Sequence, residues 1–250
     1  GKTFTATHLI DQLVGLGRGP ILACAESNVA VDNLLEGLVN LGVKTLRIGK
    51  PVKVREALRN TTLDALVELH PLQDELQYIR ENNNALRNKL KSLKGKEKGL
   101  AHRDIKNNLR DMRQIEDDII ASLLDDAEVV CATTIGAGHQ ILGERKFPII
   151  LIDEATQATE PSSLVPITRG CQQLILVGDH KQLPPTVISE RAERGGLNQS
   201  LFERLNKCGI PAEILTTQYR MHPVIREFPS ARFYDNHLED GCLAADRPTP

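Results

Sequence analysis

Apolar and polar positions fall into two textures that alternate along the chain. Short apolar-rich runs recur at Ile21–Ala25, Thr45–Ile48, Val129–Ala132, Ile149–Ile152 and Gln172–Val177. Runs of this length, bounded by polar turns, suit strands buried on both faces, as in parallel sheets. Between them the apolar residues take helical spacing, first at Leu9, Ile10, Leu13, Val14 and Leu16. A second helical stripe, Val31, Leu34, Leu35, Leu38 and Leu41, stops at Gly42, with Ser27 or Asn28 as its N-cap. A helix over Ser200–Lys207 and a strand over Glu213–Thr216 continue the alternation. Strands alternating with helices predict an α/β fold whose parallel sheet is covered on both faces.

Residues 61–126 break the pattern. After a short helical stretch, His70-Pro71 opens a longer one, with Leu72, Leu76, Ile79, Asn83, Leu86, Leu90 and Leu93 spaced by fours and threes. Gly95 to Gly99 reads as a turn, and Ile105, Leu109, Met112, Glu116, Ile119 and Leu123 follow. Two heptad-like helices joined this way predict an antiparallel hairpin. Helices of about two dozen residues would project roughly 35–40 Å. Asn83 sits on the seam, where it either fixes register or marks where the pairing loosens.

Composition narrows the class. Forty per cent hydrophobic and 26% charged residues over 250 positions suit one large globular domain or two. No apolar run approaches the roughly 18–20 residues of a membrane span. The five cysteines are odd in number and never spaced C-x-x-C, and Cys24 and Cys131 fall inside strands. They read as reduced core thiols of a cytoplasmic or nuclear protein. The chain does not begin with Met and reads as a fragment. Its net charge is −2, yet residues 80–113 carry eleven Lys/Arg against four acids, a local +7. That stretch is either a solvated helical face or an arm that contacts phosphates.

Chemistry concentrates at strand ends. Gly1-Lys2-Thr3 before a helix matches the end of a phosphate-binding loop, where Lys2 would reach the β/γ-phosphates and Thr3 would ligate Mg²⁺. Asp153 and Glu154 leave the buried strand Ile149–Ile152 at its carboxyl end, where open α/β sheets bind ligands. Either they form an acidic turn, or Asp153 takes the Mg²⁺ ion and Glu154 an attacking water. Thr133-Thr134 ends another strand, Gly178-Asp179-His180-Lys181-Gln182-Leu183-Pro184-Pro185 a third, and Gln218-Tyr219-Arg220-Met221-His222-Pro223 follows the last. Nothing in these motifs demands a metal-bound or catalytic role for His180 or His222.

In this order and spacing, G-K-T, A-E-S-N-x-A-V-D, D-E-A-T-Q, G-D-H-K-Q-L-P-P and Q-Y-R-M-H-P resemble the superfamily 1 helicases of the up-frameshift type. These are the relatives of the nonsense-mediated-decay and immunoglobulin mu-binding helicases. The resemblance covers almost the whole chain. It implies a RecA-like P-loop NTPase domain over residues 1–60 and 127–208, an inserted helical hairpin over 61–126, and the start of a second motor domain over 209–250. It implies an enzyme that uses ATP and Mg²⁺ to move 5′-to-3′ along single-stranded RNA or DNA. Such a monomer would meet regulatory protein partners through regions outside these residues.

The resemblance also implies roles for individual residues. Gly1, Lys2 and Thr3 match the phosphate loop, and Asp153 and Glu154 the metal and water residues. Gln182 matches the γ-phosphate sensor, Tyr219 a residue stacked on adenine, and Arg220 one that reaches the γ-phosphate from the second domain. Ser27, Asn28, Thr133 and Thr134 lie where such helicases touch the nucleic-acid backbone. Glu26 stands where the family usually has proline, which would put a negative charge near that path. The rival reading is a nucleic-acid-binding or partner-docking module without turnover. A nucleotide-dependent switch would leave Q-L-P-P and Q-Y-R-M-H-P without a role.

Overall fold

The computed structural model describes residues 1–49, 58 and 60–247, and the expected boundary at residue 60 adjoins residues outside that set. Five parallel strands form the main sheet: β1 (Ile21–Ala25), β2 (Thr45–Arg47), β3 (Val129–Thr133), β4 (Ile149–Asp153) and β5 (Gln173–Leu176). Their order is β2-β3-β1-β4-β5. Every residue of β1 and β4 is buried, as their unbroken apolar runs require.

Side-chain alternation divides the core between the two faces. Ile21, Ala23 and Ala25 face α1 (Lys2–Gly15) and α2 (Asn28–Asn40), packing with Ile10, Leu34, Leu38 and Cys131. Leu22 and Cys24 face the other layer with Leu46, Leu63, Leu124, Leu142 and Phe147. Cys24 and Cys131 are both buried and unpaired, and burial pushes the Cys131 thiol up to about 12. All five cysteines are free.

α1 and α2 meet closely at Gly37, where an added Cβ would stand 2.7 Å from the Thr7 methyl. Thr7 is 2% exposed, and its hydroxyl donates to the Phe4 carbonyl at 2.9 Å, so the methyl has no easy retreat. Gly37→Val should therefore destabilise the fold by about 2–3 kcal/mol despite its better helix propensity. A urea midpoint equal to that of the wild type would show that the contact can relax.

Between β2 and β3 the chain makes α3 (Leu63–Leu69), α4 (Gln73–Lys89) and α5 (Gly95–Asp126). The last two form the expected antiparallel hairpin, but with unequal arms of 17 and 32 residues. At 1.5 Å per residue the longer arm runs about 48 Å. Its far end returns to the sheet, where Leu124 joins the core. The expected turn over Gly95–Gly99 is instead the start of α5. Gly95 itself takes φ +54°, so the reversal runs through residues 90–95, and Glu97 suits the positive end of the helix. On the seam, Asn108 Nδ2 donates to Asn83 Oδ1 at 3.0 Å, so Asn83 joins the arms instead of loosening them.

After α6 (Glu160–Ile167) and β5 come α7 (Glu190–Arg194) and α8 (Leu201–Lys207), the latter capped by Ser200. The expected strand over Glu213–Thr216 does not form. Ile214 and Leu215 are 60% and 47% exposed, and no neighbouring strand among the described residues pairs with them. The ladder begins one residue later, β6 (Thr217–Gln218) pairing in parallel with β7 (Glu239–Asp240) around α9 (Pro223–Phe233). Among the described residues no helix is long and apolar enough to cross a membrane.

Candidate functional site

Register gathers the motifs. Ala25 stands level with Thr133 on one side and Asp153 on the other, so the carboxyl ends of β1, β3 and β4 form one edge. That edge carries Glu26-Ser27-Asn28, Thr133-Thr134 and Asp153-Glu154. The amino end of α1 rises beside it.

Residues 150 and 152 positions apart meet there. The Thr3 hydroxyl donates to Asp153 Oδ2 at 2.8 Å, and Lys2 Nζ lies 3.6 Å from Glu154 Oε1. Asp153 is 1% exposed, and burial pushes its carboxyl above the usual range against the pull of the Thr3 hydroxyl, the Glu154 N–H and Lys2. A carboxylate driven toward its neutral form by burial is one that a divalent cation would stabilise as the anion. Thr3 and Asp153 would supply two hard oxygen ligands, a set that fits Mg²⁺, an ion that keeps its remaining positions for water and phosphate. No cluster of three or more His, Cys, Asp or Glu able to hold a metal exists among the described residues.

Glu154 sits at φ +51°, a left-handed conformation that an ordinary side chain adopts only when its surroundings impose it. Its N–H donates to Asp153 Oδ1 at 3.0 Å, and the next N–H, of Ala155, donates to the Val177 carbonyl at 2.8 Å. The turn thus swings the Glu154 side chain out of the strand while Asp153 stays inside. Gly178 lies so close to this loop that a Cβ would meet Thr156 Cγ2 at 2.9 Å, which accounts for a glycine ahead of Asp179.

Gln182 reaches the cluster through Asp179. Its Nε2 donates to Asp179 Oδ2 at 2.6 Å, and the Asp179 N–H donates to Thr156 Oγ1 at 3.2 Å. Burial would raise the Asp179 carboxyl, but hydrogen bonds from Tyr234, Gln182 and the Lys181 N–H, with Lys2 nearby, hold it below the usual range. Tyr219 and Arg220 are exposed, and among the described residues no hydrogen bond or ion pair ties their side chains to Lys2, Asp153 or Glu154. The Tyr219 ring lies directly against Gly241, where any side chain would collide with it.

The rest of the edge is divided. Ser27 caps α2, accepting from the Ala30 N–H at 3.2 Å, and is exposed beside Asn28. Thr133 is half-buried, and its hydroxyl accepts from the Gly136 N–H at 2.9 Å. Thr134, by contrast, is fully buried, because successive residues at a strand end point to opposite faces. Its hydroxyl donates to Glu26 Oε2 at 2.6 Å, and Ser162 Oγ donates to the same oxygen at 2.7 Å. So the threonine pair is split, one residue out and one in, and the Glu26 carboxylate is turned onto two hydroxyls.

Arg47 went unnoticed in the sequence. It is 1% exposed and bonded through Nε to Asp32 Oδ1 at 3.3 Å. Its other guanidinium nitrogens donate to the Ile48 carbonyl and, at 2.8 Å, to Asn28 Oδ1. Because arginine has only donors, Asn28 must present its oxygen inward and its NH₂ group outward. The signal was Asp32 in the apolar stripe of α2 and Arg47 in T-L-R-I, two charges where the pattern calls for apolar residues. Asn28, Arg47, Thr133, Gly136 and His139 line a cleft of about 290 Å³. A larger cleft of about 450 Å³ opens at the amino ends of the strands, between Gly19, Glu128 and Lys146, and holds none of the candidate residues. The two histidines of the late motifs have structural posts: His222 Nδ1 accepts from the Val224 N–H at 3.2 Å, and His180 stacks on Phe202.

Two family models described as AAA domain match the chain, one over residues 1–190 and one over residues 197–250. The chain is 43% identical over 247 residues to the regulator of nonsense transcripts 1 homolog of Drosophila melanogaster, covering 99% of this chain and 20% of that protein. It is 41% identical over 248 residues to the Neurospora crassa homolog, covering 99% and 21%. The ATP-dependent helicase NAM7 of Saccharomyces cerevisiae is 41% identical over 250 residues, all of this chain and 24% of that protein. The chain therefore spans about a fifth to a quarter of the length of these relatives. With its parallel sheet and its ordered loop motifs, it belongs to the AAA-domain family, as a superfamily 1 helicase domain of the type found in the regulators of nonsense transcripts.

Proposed function

We propose that this chain is the nucleotide-hydrolysing part of an ATP-dependent helicase or translocase that moves on single-stranded RNA or DNA. The observation that carries the reading is the meeting of Lys2 and Thr3 with Glu154 and Asp153 at the carboxyl edge of a parallel sheet. Lys2 and the positive end of α1 would draw the β/γ-phosphates of ATP. Thr3 and Asp153 would hold Mg²⁺, which when bound offsets phosphate charge. Glu154 orients the attacking water and accepts its proton, as the bond from phosphorus to the ADP oxygen breaks and one to the water oxygen forms. Gln182 senses the γ-phosphate, Tyr219 stacks on the adenine, and Arg220 reaches the γ-phosphate from the other side. Residues 1–60 and 127–208 serve as the first motor domain, 61–126 as its insertion, and 209–250 as the start of the second. Ser27, the outward NH₂ of Asn28 and Thr133 then face the nucleic-acid backbone. In the full-length protein, ATPase activity should rise on adding single-stranded RNA or DNA. Nucleic-acid binding without any ATP turnover would instead favour a binding module.

The basic hairpin gives a second test. Lys89, Lys91, Lys94, Lys96 and Lys98 are all exposed around the hairpin tip, and none is in an ion pair among the described residues. If they bind phosphates, changing them to Gln should weaken nucleic-acid affinity and flatten its salt dependence. Every phosphate left without its lysine should lower the log–log slope by roughly 0.7 for single strands. An unchanged slope would return the arm to a solvated face.

A further inference from the structure

Asp179 carries more than Gln182. The Tyr234 hydroxyl donates to Asp179 Oδ2 at 2.6 Å, the same oxygen that accepts from the Gln182 amide at 2.6 Å. Oδ1 accepts from the Lys181 N–H at 3.0 Å, so both carboxylate oxygens are committed. Tyr234 comes from the far side of the chain, directly after α9, which itself begins just past Tyr219 and Arg220. Among the described residues Tyr234 is the one residue after Gly209 whose side chain hydrogen-bonds to the half that holds the main sheet.

The tyrosine is held in place. Its N–H donates to the Ser230 carbonyl at 3.1 Å, and its own carbonyl accepts from the His237 N–H at 2.8 Å. Asp235 and Asn236 take φ of 49° and 62°, two consecutive left-handed residues that need surrounding contacts to persist. Ser230, fully buried, supplies some of them by accepting from the Leu238 N–H through Oγ at 3.2 Å. Burial and the neighbouring Asp179 carboxylate push the Tyr234 phenol up to about 12, so the hydroxyl keeps its proton at any ordinary pH. A hydroxyl aimed at a carboxylate is among the stronger hydrogen bonds a protein makes.

We propose that Tyr234 is a positioning residue of the nucleotide site: through Asp179 it orients the Gln182 amide and ties the Arg220-bearing segment to the main sheet. The proposal rests on the function read above, since Gln182 matters only if a γ-phosphate is sensed. Its logic is one of shared acceptors. With the hydroxyl gone, Asp179 Oδ2 keeps only Gln182 and Oδ1 only the Lys181 N–H, so carboxylate and amide gain freedom to shift together. A movement of even about 1 Å at a reacting centre is costly in rate.

The test is Tyr234→Phe in the full-length protein, a change that keeps the ring and removes one oxygen. Turnover at saturating ATP and nucleic acid should fall about 10-fold, while the affinity for a fluorescent ATP analogue stays within twofold. In a Gln182→Ala background the same substitution should cost less than a further twofold, because its effect passes through the amide. Full additivity, or unchanged turnover in Tyr234→Phe, would overturn the proposal. A second readout is independent of hydrolysis. Spin labels at the exposed positions Glu144 and Glu227 should give a broader distance distribution in Tyr234→Phe than in the wild type. An unchanged distribution overturns the tie. A wild-type protein without ATPase would instead sink the functional reading and leave the tie to be decided by the distances.

Discussion

Glu154→Gln should leave ATP binding intact and lower turnover by about 10²-fold or more, the scale of a lost general base. The substitution isolates charge. Glutamine has the same length and can still meet the Gln157 amide, which lies 3.4 Å from Glu154 Oε2. It gains nothing from the left-handed backbone at this position, since neither residue is favoured there. What it loses is a proton acceptor and the attraction to Lys2, 3.6 Å away. Losing that attraction leaves Lys2 wholly available to phosphate. The Michaelis constant for ATP should therefore stay level or fall while kcat drops, the pattern of a group that acts after binding. Steady-state kinetics with saturating single-stranded RNA decide it. Turnover within about threefold of the wild type would take Glu154 out of the proposed mechanism.

Much of this site was legible because burial and chemistry pull in opposite directions along β4. Four apolar residues predicted a strand covered on both faces, and two acids straight after it needed a cation or a reaction to justify them. The parallel register then had to bring β1, β3 and β4 to one edge. What the pattern left dark depends on which element lies above a strand end. Glu26 read as a negative charge near the nucleic-acid path, but the amino end of α6 brings Ser162 over it, and with Thr134 this turns the carboxylate inward. Spacing alone carries no record of that helix. The split of Thr133 from Thr134 was accessible in principle, since neighbours on a strand must point to opposite faces. Tyr234 was harder. It ends the stretch F-P-S-A-R-F-Y, to which the sequence attaches no role, and only the tertiary path of α9 brings it to Asp179. The failed strand at Glu213–Thr216 has the opposite lesson: β-propensity in Ile214 and Thr216 does not supply a neighbour for Ile214 and Leu215 to pair with.

Arg220→Ala should have the larger effect, a fall in turnover of about 10³-fold or more with nucleotide binding retained, if this arginine offsets charge that develops on the transferring phosphoryl group. The local geometry fixes the backbone and leaves the side chain uncommitted. Gln218 Oε1 accepts from the Arg220 N–H at 2.9 Å and from the Met221 N–H at 2.7 Å, clamping the backbone on both sides. The Gln218 amide in turn donates to the Met221 carbonyl at 2.9 Å and to Asp240 Oδ1 at 2.8 Å. Asp240 is itself anchored by Arg226, whose guanidinium lies 2.7 Å from Oδ2. The loop is therefore fixed from three directions, whereas the Arg220 guanidinium makes no hydrogen bond or ion pair among the described residues. The exposed guanidinium is open to an anion, and a phosphoryl group presented near Lys2 is the one the proposed function supplies. Arg220→Lys should restore little of the lost rate, because an ammonium cannot reproduce the two-point grip of a guanidinium on phosphate oxygens. Single-turnover hydrolysis beside equilibrium binding of labelled ATP separates the alternatives. A near-normal rate would leave Arg220 outside the mechanism, and weakened nucleic-acid binding with normal hydrolysis would move it to the nucleic-acid face.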